Sequence, residues 1–197
     1  MKRLIALVAA FVLSIPSAFA SDVLSADAAR HFAETLEPVQ SFGDALEKEG
    51  KFNVLLGGGA TVDGAFKPYS AGVAALKAQL PAELGRLEAI VKPHGFTPDQ
   101  WGAVGDRVMA AYMALRIERE QPGALARVEQ VDAAQIEKMP PEMRKQMVDF
   151  NAMVDALKKA PEADKAAVLP AMDAIDAHIA KQEAAAAAAE AAAPAKE

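Results

Sequence analysis

The stretch Phe96 to Glu120, FTPDQWGAVGDRVMAAYMALRIERE, constrains the fold more than any other part of the chain. It opens with a full set of helix-initiation signals. Thr97 is placed as an N-cap whose hydroxyl accepts from an orphan backbone N–H. Pro98 falls at the first helical position, where a missing N–H costs nothing. Gln100 sits two residues further on, so Thr97 and Gln100 form a capping box. Phe96 and Trp101 flank the cap at the spacing of a hydrophobic staple. Asp99 adds a negative charge at the positive end of the helix dipole.

At 100° per residue, Trp101, Val104, Val108, Tyr112 and Leu115 share one face. The opposite side, with Ala103, Ala110, Met113, Ala114 and Ile117, is not polar either. A helix apolar on two sides is buried between neighbours, so this segment is expected at the centre of the domain. Gly102 and Gly105 each cost about 1 kcal/mol against alanine in a helix interior, a cost that close approach of a neighbouring helix can offset. Asp106 and Arg107 are the only charges between Trp101 and Leu115. They read either as a site in a cleft or as polar contacts that lock helix packing. The second reading is preferred, because buried charges are normally paired.

Around this centre the chain reads as further helices divided by proline and glycine. Ser25 caps a helix from Ala26 to Leu36, and Pro38 is expected to break it and open a second piece to about Glu49, with Val39, Phe42 and Leu46 inward. His31, beside Phe32, reads as a surface or packing residue. Phe52 to Gly64, FNVLLGGGATVDG, does not complete the G-x-G-x-x-G of a dinucleotide site. It is expected to be a flexible connection whose glycines take positive φ, with Lys67-Pro68-Tyr69 in the same link. Helices resume at Ser70, with Val73, Leu76 and Leu80 in a stripe, and again at Pro81, with Leu84, Leu87, Ile90 and Val91. Pro93 and Gly95 stop that helix, and His94 is expected in an exposed turn. Pro122-Gly123 ends the central helix. Leu125, Val128, Val131 or Asp132, and Ile136 mark another, broken at Pro140-Pro141. Met143, Met147, Phe150, Val154 and Leu157 then form an a/d seam. In the last segment Val168, Met172, Ile175 and Ile179 face inward, with Pro170 as a kink or restart.

The two ends differ from this pattern. Lys2 and Arg3, the apolar run Leu4 to Leu13 and Ala18-Phe19-Ala20 compose a cleavable secretory signal over residues 1–20. Residues 21–181 make a single helical domain, and 182–197 an Ala-rich low-complexity tail that prolongs the last helix or frays. No later stretch approaches the roughly 20 apolar residues of a membrane span, so no stable membrane insertion is expected after cleavage. Loss of Lys2 and Arg3 takes the 21 basic residues to 19 against 27 acidic ones, a net charge of −8. That balance disfavours nucleic acid, which needs a basic stripe. The absence of cysteine excludes thiol nucleophiles, iron–sulfur clusters and Cys zinc sites.

The remaining chemistry is sparse. Ser21, Ser25, Ser41 and Ser70 lie in no G-x-S-x-G, and His31, His94 and His178 are on separate segments. There is no H-E-x-x-H and no EF-hand spacing. Methionine is the one enriched type. Met109 and Met113 are one turn apart, Met139, Met143 and Met147 step by four, and Met153 and Met172 add to them. Thioethers suit Cu(I), but methionine is also a flexible core filler and a component of adaptable binding surfaces.

Phe96-Thr97-Pro98-Asp99-Gln100 resembles the L-T-x-x-Q signature of small helical periplasmic chaperones of the Spy and CpxP kind, with Phe for Leu and one copy where that family carries two. The chain also looks like exported helical proteins of proteobacteria, a likeness that brings no activity with it. The resemblance implies a periplasmic helical protein that binds clients, although those chaperones use a basic concave face and this chain is acidic. The expectation is an all-α irregular bundle of about six or seven helices around a central helix near 97–120. It is expected in the periplasm (the medium being the alternative), non-enzymatic, without cofactor, and acting through contacts with a protein or peptide of unknown identity. Soft-metal binding through Met109, Met113, Met143 and Met147 is the alternative, and an enzyme of unknown type the third. Phe96, Thr97, Gln100, Trp101, Asp106, Arg107 and Tyr112 are assigned structural roles.

Overall fold

A computed structural model describes residues 23–57 and 59–192. The signal read over residues 1–20 and the last residues of the tail lie outside that range. The fold is all-α. In order it contains α1 (Ala26–Lys48), α2 (Phe52–Gly57), β1 (Thr61–Val62), β2 (Ala65–Phe66), α3 (Pro68–Gln79) and α4 (Pro81–Val91). There follow α5 (Pro98–Glu120), α6 (Ala124–Arg127), α7 (Ala133–Ile136), α8 (Pro141–Lys158), α9 (Glu162–Val168) and α10 (Met172–Ala192). Single 3-10 turns at Lys92–His94 and Leu169–Ala171 join α4 to α5 and α9 to α10. Among the described residues no helix is long and apolar enough to cross a membrane.

α5 is the helix the sequence places at the centre. Thr97 Oγ1 accepts from Gln100 N, and the Gln100 side chain accepts from Thr97 N, so the capping box is formed. Phe96 and Trp101 on either side of it are both buried. One side of α5 puts Trp101, Val108, Ala111 and Tyr112 into the main core with Phe32, Leu46, Val73, Leu87, Val168 and Ile175. Its other side puts Ala114 into a second, smaller cluster with Leu157 and Ala160. Ala103 alone of the second face is exposed.

The two α5 glycines are where α1 and α3 come closest. A Cβ on Gly102 would lie 3.1 Å from Ser70 Cα, and one on Gly105 would lie 2.6 Å from Phe32 Cε2 and 2.9 Å from Tyr69 Cγ. Phe32, Tyr69 and Trp101 meet around this point, with centroids 5.3 to 5.7 Å apart. Tyr69 stands edge-on to both partners, the arrangement the ring quadrupoles favour. Trp101 Nε1 donates to Thr35 Oγ1 (2.8 Å), which donates to the Phe32 carbonyl (2.7 Å), so the fully buried Thr35 is satisfied.

Several elements differ from the sequence expectation. Pro38 lies inside one continuous α1. Beyond it, Phe42 and Leu46 enter the same core as Phe32 and Leu36. Two such burials at roughly 1.5–3 kcal/mol each are enough to offset the roughly 3 kcal/mol a helix-interior proline costs. The expected flexible link from Phe52 to Gly64 holds α2 and a hairpin pairing Thr61 with Phe66 and Val62 with Ala65. The turn residues Asp63 and Gly64 both have positive φ, the conformation that a two-residue type I′ turn requires. Pro68 is not in the link but opens α3. The helix expected over Leu125 to Ile136 is two single turns, α6 and α7, with an extended segment between them. Asn151 of α8 holds that segment, accepting from Val131 N (2.9 Å) and donating to Val131 O (2.7 Å). Lys158 donates to Val128 O, and Asp132 caps α7. The α8 seam is buried only in its second half. Val154 and Leu157 are core, Met147 and Phe150 are half-buried, and Met143 is 48% exposed.

Candidate functional site

The charges of α5 were read as either a site or a lock, and each goes to a different neighbour. Asp106 Oδ1 accepts from Tyr69 N (2.8 Å) and Ser70 N (3.4 Å), and Oδ2 from Ser70 Oγ (2.5 Å). The local N-cap of α3, Lys67, offers no side-chain cap, so a carboxylate from another helix caps α3 instead. Burial pushes the Asp106 carboxyl above its ordinary range, opposed by those three hydrogen bonds. Ser70 is spent on this cap, with no histidine in the cluster to act as a base. Arg107 makes a two-pronged bond to the buried Asp164 of α9 (Nε–Oδ2 2.8 Å, Nη2–Oδ1 2.6 Å). Tyr112 donates to Asp176 of α10, which also pairs with Arg119. These groups fasten α5 to α3, α9 and α10.

The concave feature lies beside that seam. A cleft of about 710 Å³ opens between the C-terminal half of α1, α2, α3 and α10. Its floor is the edge of the main core, with Leu36, Val73, Leu76, Leu87, Trp101 and Ile175. Phe42 and Phe52 form one wall, and the Arg86 guanidinium sits 5.3 Å from the Phe42 ring centroid. Tyr69 and Met109 close the deep end. Burial, with the Asp106 charge adding to it, pushes the Tyr69 hydroxyl up to about 12, so Tyr69 is neutral at any ordinary pH. On the far wall, α10 contributes Ile175, His178, Ile179 and Gln182, one helical face at i, i+3, i+4 and i+7. His178 Nε2 lies 2.9 Å from Gln182 Nε2, within hydrogen-bonding distance. The lip at Gly59 and Ala60 meets α8, where Asp149 accepts from Thr61 Oγ1 (3.2 Å) and pairs with Lys145 (3.2 Å).

Two helix glycines line the cleft, Gly43 on α1 and Gly72 on α3, inside helices where glycine is costly. A Cβ at Gly72 would meet nothing within 4 Å, and one at Gly43 only Phe52 Cε2 at 3.8 Å. Helix propensity would put alanine at both.

An ion network fixes the mouth from outside. Glu83, 6% exposed, accepts from Lys51 (2.7 Å) and Arg86 (2.6 Å), and Glu49 binds the same two cations. Lys51, then Arg86, holds the Glu83 carboxyl below its ordinary range.

The methionines do not share one environment. Met109 lines the cleft and packs on the main core, and Met113 lies between the two apolar clusters. Met143 is exposed on α8 and Met147 half-buried there. Among the described residues no group of His, Asp or Glu is placed to hold a metal ion. His94, expected in an exposed turn, is partly buried and lies 3.2 Å from Glu34 Oε2. His31 is also half-buried, and its buried Nδ1 has no hydrogen-bond partner among the described residues.

The sequence reading named the central helix but not the cleft. Gly43 and Gly72, glycines in helical stretches, are its one trace in the sequence, a trace shared by Gly85 of α4, which lies outside the cleft. No known protein family, no curated protein and no solved structure matches this chain significantly.

Proposed function

We propose that this is a non-enzymatic periplasmic binding protein that takes an apolar segment of a protein or peptide partner into the cleft. The observation that carries the reading is a cleft of about 710 Å³, floored by core side chains and lined by two helix glycines with room around them. Mostly apolar concavities of this size with few polar groups are where ligands bind. The side chains with chemical potential elsewhere, Asp106, Ser70, Arg107, Asp164 and Tyr112, are engaged in joining helices, which supports binding rather than catalysis. The periplasmic placement rests on the signal pattern ending at Ala20. Intact-mass measurement of exported protein should give Ser21 as the first residue, and retention of Met1 on a membrane-bound product would overturn it.

The cleft itself is tested by filling it. Gly72→Phe places a ring where an added Cβ has open space, so the fold should survive. Suppression of aggregation of an unfolding client, measured by light scattering, should fall to background in the variant, with its melting temperature preserved. Full activity in a folded Gly72→Phe protein would sink the reading.

A further inference from the structure

We propose that the occupant of the cleft is an amphipathic helix about three turns long that carries Lys or Arg beside its apolar face. This rests on the reading of the cleft as a binding site and adds the chemistry of the partner.

The shape argues for a helix. On α1 the lining runs from Leu36 to Glu47, about 16 Å at the helical rise per residue. The α1 and α10 walls are themselves helices, so the space between them is a groove with helical ridges on both sides. Gly43 and Gly72 lower the α1 and α3 walls, where a partner backbone can approach closely. An apolar face at i, i+3, i+4 and i+7 is the form that fills such a groove.

The charges fix its sign. α2, α3, α4 and α5 put no charged residue into the lining. α8 supplies Lys145 and Asp149, which neutralise one another. α10 supplies His178, held by Gln182. α1 supplies Asp44 and Glu47, both exposed and without an ion pair among the described residues. The contrast with their neighbours is direct, since Glu49 and Glu83 each hold Lys51 and Arg86. Asp44 and Glu47 are like charges three residues apart, which repel. They also lie near the C-terminus of a 23-residue helix, at the negative end of its dipole. Lys48, one turn after Asp44 and also in the last turn, makes no ion pair with it among the described residues, so a cation docked at that end of the groove adds the direct partner that both carboxylates lack.

The test uses two synthetic peptides of about four helical turns without tryptophan. They share a leucine face and differ in carrying Lys or Glu on the other faces. Trp101, the single tryptophan, floors the cleft and reports occupancy by its emission. At low salt the Lys peptide should bind saturably, and at least about tenfold more tightly than the Glu peptide. The double variant Asp44→Asn, Glu47→Gln should bring the two affinities to within about threefold, with the circular dichroism unchanged and the melting temperature no lower than that of the unmodified protein. The control Glu129→Gln, Glu137→Gln removes the same charge from exposed positions outside the cleft, and it should preserve the preference. Equal binding of both peptides to the unmodified protein overturns the charge assignment and leaves the cleft reading standing. So does a control that erases the preference as fully as the cleft variant. Binding of neither peptide, with a neutral alkyl amphiphile bound instead, overturns the helix proposal and the protein-partner reading together.

Discussion

Glycine appears twice in pairs inside long helices, and the two pairs do opposite things. At Gly105 an added Cβ would collide with Phe32 and Tyr69, and at Gly102 it would crowd the Ser70 backbone. The propensity cost there is offset by the contact it permits. At Gly43 and Gly72 nothing comes near enough to offset it, and the space left over belongs to the cleft. The first pair makes the fold and the second leaves room in it. Gly85 of α4 is equally uncontacted but lies outside the cleft, so it is the lining of the cleft, and not open space alone, that sets Gly43 and Gly72 apart.

The substitution with the largest expected effect touches both regions. Trp101 belongs to the aromatic seam, donates to Thr35 and floors the cleft. Trp101→Ala should cost about 3–5 kcal/mol in urea unfolding. A loss under about 1 kcal/mol would mean that the seam is not the core of the fold. The next test places the same residue in both settings. Gly105→Ala drives a methyl group into Phe32 and Tyr69, and should destabilise by about 1–3 kcal/mol. Gly72→Ala adds a methyl group to open space and should stabilise by about 0.5–1 kcal/mol. If the two alanine variants shift the denaturant midpoint in the same direction, the distinction between the pairs fails.

The smallest effect appears only as a function of pH. Lys51 and Arg86 hold the Glu83 carboxyl below its ordinary value of 4.5. A depressed carboxyl contributes stability that is present above the unfolded value and is lost as pH falls through the folded one. Because Arg86 also lies over Phe42, the wall of the cleft should loosen in acid while the α3–α5 seam persists. The melting temperature should therefore decline below about pH 4.5, and less steeply in Glu83→Gln. Parallel declines in the two proteins would remove Glu83 from the account.

What was legible in the sequence was what is local. The start of α5 is written in five consecutive residues, and its two buried faces follow from periodicity alone. Pro38 was misread because the penalty is local while the compensation, burial of Phe42 and Leu46, comes from helices elsewhere in the chain. Val62-Asp63-Gly64-Ala65 carried a hairpin signal in its Asp-Gly pair, and the surrounding glycines masked it. The extended segment before α7 is held by Asn151, some twenty residues later, so no window around Val131 contains its cause. Asp106 and Arg107 were expected to lock packing, and the partners they bond, Ser70 and Asp164, are 36 and 57 residues away, outside any local window. The cleft was the least visible part, because a void is a property of seven helices at once and no local window contains it.

The cap that Asp106 supplies to α3 reaches into the order of events during folding. The amides of Tyr69 and Ser70 find their acceptor 37 and 36 residues along the chain. α3 therefore gains its first-turn bonds only when α5 is beside it. A helix started by its own serine can flicker into existence alone, but one started from a neighbour is born docked. The two helices then open as one cooperative unit, and the first turn of α3 exchanges its amide hydrogens at the rate of the centre of the protein rather than at that of a helix end.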